Sequence, residues 1–202
     1  MPFSLTIVAI ILSYVWIFEP VWTGTARTVP VVLVVALTIA HAIRTGDWGL
    51  EPRAFLPALW RALLITLVGV ALILMMGEAF ETLHKRRAVG RSLLYLFVWG
   101  AGQQLALQTV LLREACGWMS RGAAVIVAAA VFGAIHLPNP FLAPITFAAA
   151  LGWCWIYSRY PNVIPLAISH ALGTEAVRHA FDPDMTGRLR IGYSYLQFAM
   201  GQ

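Results

Sequence analysis

Apolar residues along this chain come in long runs, separated by short polar stretches. The runs cover about residues 3–18, 29–43, 55–76, 92–112, 123–136, 141–157 and 163–177. A helix that crosses a bilayer needs roughly 20 mostly apolar residues, with about 17 as the lower limit. Most runs approach that length, and the fifth and seventh are short. The pattern predicts an all-α fold, a polytopic transmembrane helical bundle of six to seven spans, with residues 1–202 as one membrane domain. No Lys or Arg precedes the first run and no clean small-residue cleavage site follows it, so it reads as a retained span and not as a signal peptide. The fifth run ends at His136-Leu137-Pro138-Asn139-Pro140, where the prolines stop a helix. Beyond residue 177 polarity returns. Asp182, Pro183, Asp184 and Gly187 read as a surface loop within a polar C-terminal tail, 178–202, whose 193–198 stretch is expected at the membrane interface.

Composition strengthens this picture. Hydrophobic residues make up 60% of the chain and charged residues 11%, with mean hydropathy +0.77. A soluble domain is about a quarter charged, so this much apolar surface has no soluble core to hide in. The net charge of +5 does not point to nucleic acid, because the basic residues are scattered over short loops. Loops of that kind face anionic headgroups, and the expected partner is the lipid bilayer. Lys85, Arg86, Arg87 and Arg91 form the one dense basic cluster. Placed in the cytoplasm, it puts the N-terminus outside, in a multi-pass protein of a plasma or inner membrane. Cys116 and Cys154 are too few for a disulfide framework or a metal cluster and read as small buried hydrophobes.

Polar groups at membrane depth are costly and are therefore candidate functional sites. The carboxylates avoid mid-span: Glu114 lies at the outer end of the fourth run, and Glu175 near the inner end of the seventh. Amides and imidazoles occupy the interior instead. Gln103, Gln104 and Gln108 lie in the fourth run, with Gln104 and Gln108 on one helix face. His136 ends the fifth run, and His170 lies in the seventh with Thr174 one turn further on. Gln103, His136 and His170 are expected at similar depths, roughly 10–20 Å below the outer boundary, where their partners would be one another. Each residue singly also fits a role as interhelical hydrogen-bonding glue. Zinc needs three or four N, S or O ligands. Two histidines fall short of that, Glu175 points away from His170, and no metal or other cofactor is expected.

In order and spacing these residues resemble the CPBP family, also called the Abi or CAAX-protease-like family of intramembrane proteases. The resemblance covers roughly residues 48–174 and opens on Trp48-Gly49-Leu50. That family carries a pair of glutamates followed after three residues by arginine, then Phe-x-x-x-His, then His-x-x-x-Asn or Asp. Here the second motif is intact as Phe132-Gly133-Ala134-Ile135-His136. The third keeps His170 but has Thr174 for Asn, and the first reads Gln103-Gln104 with Gln108 for arginine. The resemblance implies an endopeptidase in which a glutamate activates water, while the histidines and Asn bind water and the developing oxyanion. A glutamine has no group that titrates near neutral pH. Loss of a general base costs about 10²–10⁴-fold or more. The loss of arginine is coherent with the loss of the glutamates, because a buried cation without its partner is destabilising.

Three readings of function remain at this point. One is a CPBP-like membrane protein without peptidase activity, a pseudoenzyme acting as a membrane-complex subunit or binding protein through the neutralised pocket. The second is an active intramembrane enzyme, a CAAX-type endopeptidase or one acting on a lipid or isoprenoid, with His136 and His170 as acid and base. The third is a transporter or channel, against which stands the lack of paired broken helices.

Overall fold

The computed structural model describes residues 2–85 and 88–201, so Arg86 and Arg87 of the basic cluster lie outside the described residues. Helix α1 (Phe3–Ser13) continues through a wider π turn, Tyr14–Phe18. Helix α2 (Val29–Thr45) has Pro30 in its first turn, where a missing N–H costs nothing, and ends on Gly46 in the left-handed conformation. Helix α3 (Phe55–Ala79) is the longest, and α4 (Val89–Leu105) runs on through a π segment, Ala106–Leu112, into the short α5 (Arg113–Cys116). Then come α6 (Arg121–Ile135), capped by the Ser120 side chain, α7 (Leu142–Tyr157) and α8 (Val163–Ala180), capped by Asn162. A last helix, α9 (Gly192–Ala199), follows a looped segment. Among the described residues there is no named strand, only one isolated bridge between Leu50 and Asn162.

The chain forms an all-helical membrane bundle. Two helices, Gly24–Thr45 and Pro52–Ala79, are long and apolar enough to cross a bilayer, and their most apolar windows are only 22% and 11% buried. The exposed face of α3 carries Leu56, Trp60, Leu64, Leu67, Val68, Leu72 and Met75. A helix buried in a soluble core would bury that stripe; here it faces outward, as it does toward lipid. Helices Phe3–Phe18, Arg121–Ile135 and Leu142–Tyr157 are apolar but shorter.

Contacts at the helix ends fix the direction of each leg. At one end Phe3 and Ser4 meet Glu114, Asp47 meets Arg113 and Tyr157, and Glu51 meets Asn162. At the other end Thr82 meets Ala180 and His84 meets His179. Among the described residues, α1, α2, α3, α4, α6, α7 and α8 thus run alternately between the two ends. The core is built where α6, α7 and the π segment meet α3 and α8. Ala58, Ala62, Leu107, Leu112, Ala124, Ala129, Ala150, Cys154 and Leu166 are almost wholly buried there. The many alanines let the backbones approach closely, which is how helices pack when lipid supplies no hydrophobic drive between them.

After α8 the chain does not run freely along the surface. Residues 182–185 are exposed, but Thr186, Gly187 and Gly192 are buried as the chain turns back on the bundle.

Candidate functional site

The fourth leg supplies the amides. Gly100, Gln104 and Gln108 follow one another at four-residue spacing and so share one face of the helix, turned toward α8. Gln104 and Gln108 are both 0% exposed. Gln108 Nε2 donates to Gln104 Oε1 at 2.9 Å, so each amide satisfies the other once. The outer Gln104 Nε2 is buried with no hydrogen-bond partner among the described residues, and Gln108 lies beside the buried Cys154 thiol. Gln108 lies in the π segment, an irregularity that tends to mark functional positions in helices. Gln103 sits on the flank of this face and is half-buried.

The imidazoles come from α6 and α8. His136 caps the C-terminal end of α6, and its Nδ1–H donates to Phe132 O at 2.7 Å. In the neutral ring this leaves the lone pair on Nε2. His170 is stacked on Trp153 with ring centroids 4.8 Å apart and planes at 24°. Its Nδ1 is buried and unpartnered among the described residues. One phenyl ring links the two histidines: Phe132 lies 5.0 Å from His136 and 6.4 Å from His170, centroid to centroid.

Contact between α4 and α8 joins the two halves. A Cβ built on Gly100 would lie 3.3 Å from both Cβ and Cγ of His170, so only glycine lets the imidazole reach the α4 backbone without displacement. Gln104 is one turn along from that contact. The six candidates therefore divide. Gln104 and Gln108 are bonded, His136 and His170 share Phe132, and Gly100 brings His170 to the amide-bearing face. Gln103 flanks the group. Thr174 lies half-buried one turn beyond His170, with no hydrogen bond to the other five among the described residues.

Sequence reasoning missed the residues that hold His170 in place. Trp153 Nε1 donates to Ser169 Oγ at 2.9 Å, Ser169 and Thr66 hydroxyls lie 2.6 Å apart, and Thr66 Oγ1 donates to Ala62 O at 2.6 Å. This relay satisfies every hydroxyl proton in it and fixes the indole on which His170 stacks. Ser169 does point away from His170, as neighbours on a helix must, yet it orients that imidazole through Trp153. No sequence signal marks the relay, because Ser and Thr in apolar runs are common. Among the described residues no three of His, Cys, Asp and Glu gather as a metal would require.

The end of the bundle that bears the N-terminus is charged. Arg113 pairs with Asp47, which also accepts from Gly49 N at 2.9 Å and from Tyr157 Oη at 3.3 Å. Glu114 accepts from Phe3 N at 2.9 Å and Ser4 N at 3.0 Å, capping α1 from a distant helix, and its Oε1 lies 3.7 Å from His41 Nε2. Burial works to raise the Glu114 carboxyl. The Ser4 hydroxyl, the two N–H groups and His41 outweigh burial and hold it below the usual carboxylate range.

Residues 85–174 match the family model described as Rce1-like, type II CAAX prenyl endopeptidase Rce1-like. Over that stretch, somewhat less than half of the chain, it is similar to this CAAX-protease-like family. The match takes in all six candidates and ends on Thr174, whereas α1, α2, α3 and the segment after α8 lie outside it. No curated protein and no solved structure matches the chain.

Proposed function

We propose that this protein is a CAAX-protease-like, seven-pass membrane protein that has given up peptidase chemistry and serves as a binding protein or subunit of a membrane complex. The observation that carries this reading is the Gln104–Gln108 pair. It fills the positions of a glutamate and an arginine with two amides, bonded at 2.9 Å and wholly buried. An amide cannot take a proton from water near neutral pH. The neutral pair is joined by a hydrogen bond and avoids the desolvation that a buried salt bridge would carry. The partners expected are other membrane protein subunits or a lipid or isoprenoid ligand, in a plasma or inner membrane.

The test is cleavage of a prenylated CAAX peptide by the purified protein in lipid. No cleavage above background is expected. Cleavage that disappears in His136→Ala would overturn the reading.

A second reading has its own support: the Nδ1–H bond to Phe132 O leaves His136 Nε2 free to accept a proton. On this reading His136 and His170 are acid and base for an intramembrane enzyme acting on a peptide, lipid or isoprenoid. Full activity in a His136→Ala, His170→Ala double variant would eliminate it.

A further inference from the structure

The segment after α8 folds back onto the irregular turn, residues 136–141, that joins α6 and α7. Phe141 of that turn packs on Phe181, just past the end of α8, with ring centroids 5.1 Å apart. Turn and segment therefore meet at the end of the bundle remote from the N-terminus, where the backbone groups of the turn need partners.

The cover is the chain that follows Phe181. Asn139, 0% exposed, is its pin. Asn139 Nδ2 donates to Thr186 O and to Arg190 O, both at 2.9 Å. Its Oδ1 accepts from Phe141 N and Leu142 N, both at 3.0 Å, and so caps α7. One side chain thus ties the returning chain to the turn that begins at His136. A second tie lies nearby: Gly192 N donates to Leu137 O at 2.9 Å. Gly192 has φ +57, and a Cβ on it would lie 2.4 Å from Val15 O, so the chain here is pressed against the π turn that ends the first leg. Between the two ties Arg188 and Leu189 both adopt left-handed backbone, φ 53 and 55. Residues without glycine's freedom hold that conformation only where their surroundings force it.

We propose that residues 182–199 form a releasable strap over the turn that begins at His136, limiting access to that histidine from the aqueous phase at the end of the bundle remote from the N-terminus. The strap is fastened by few specific bonds and carries strained backbone, the combination expected of a segment that opens locally while the bundle stays folded. It goes beyond the function proposed above, because it governs access to His136 and holds whether that histidine serves binding or catalysis.

The experiment measures diethylpyrocarbonate modification of His136 in the full chain in lipid nanodiscs. Trypsin gives fragment 122–159, in which His136 is the sole histidine. Two variants release the strap from different sides. Asn139→Asp keeps the acceptor that caps α7 and removes both donations to the strap. Gly192→Ala leaves Asn139 intact and drives a methyl onto Val15. In both, modification of His136 is expected to rise about tenfold or more, with faster backbone amide exchange over 186–195, as local opening predicts. His41, at the other end, is expected to keep its rate. An unchanged His136 rate in both variants overturns the proposal. So does unchanged amide exchange over 186–195 in both, since Asn139 and Gly192 would then not hold the strap.

Discussion

The two polar centres of this protein solve the same problem in opposite ways. At the N-terminal end, Asp47, Arg113, Glu114 and His41 keep their formal charges or the capacity for them, and each charge has a partner. In the interior, Gln104, Gln108 and His170 offer polar atoms without formal charge, and Gln104 Nε2 and His170 Nδ1 stay unpartnered among the described residues. The difference follows from what surrounds them. Arg113 is 48% exposed, so water shares the cost of the charge, and the free N–H groups of α1 supply donors to Glu114. Gln104 is wholly buried and lies where α4 runs on into the π segment, away from a free helix end. A lone charge there would cost several kcal/mol, while an unpartnered amide atom costs about 1–3 kcal/mol. Neutral polarity is the cheaper state for side chains buried that deeply.

The comparison breaks most visibly at Gln104. Gln104→Glu places a carboxylate in a buried site with no cation, and unfolding in detergent titrations should show a loss of about 3–5 kcal/mol. Adding Gln108→Arg should restore much of that loss. Failure of the double variant to recover would mean that the pocket has repacked around the amides and no longer fits an ion pair.

A smaller effect is expected at the charged end. Glu114→Gln loses the charge-assisted bonds to Phe3 N, Ser4 N and the Ser4 hydroxyl, worth about 1–3 kcal/mol. The same group sets a pH dependence. Its folded-state value is depressed, so the stability it contributes is present above the unfolded value and is lost as pH falls through the folded one. Amide exchange in the first turn of α1 should therefore accelerate in the acid range below ordinary carboxylate titration. Glu114→Gln should remove that acid-dependent step. A step that persists in the variant would assign it to another carboxylate.

The smallest effect belongs to the exposed pair. Asp47→Asn removes the ionic partner of a half-exposed arginine, and such pairs are worth about 0–1 kcal/mol. Asn can still accept from Gly49 N, so the thermal midpoint should shift little. A large shift would show that the Asp47–Arg113 pair is effectively buried in lipid headgroups, and the contrast between the two centres would narrow.

Much of the site was legible before the fold. Four-residue spacing put Gln104 and Gln108 on one face, and they are bonded. The Phe132–His136 motif placed a ring beside an imidazole, and they lie 5.0 Å apart. The relay of Trp153, Ser169 and Thr66 was not legible, because it joins three helices through residues that are unremarkable in each. Asn139 read as part of a proline-rich break. Its burial depends on a chain returning some fifty positions later, and no local pattern encodes that return.

Sequence by itself determined that this chain is a helical membrane bundle, since 60% hydrophobic residues in long runs leave no other way to satisfy the backbone. It also determined that Gln104 and Gln108 carry no charge, because an amide does not titrate near neutral pH. Only the tertiary structure decided which polar atoms meet, which stay unpartnered and how the chain after α8 closes over the His136 turn. Those outcomes depend on packing summed over the whole bundle, and the partners of Asn139 come from a segment some fifty positions further along the chain.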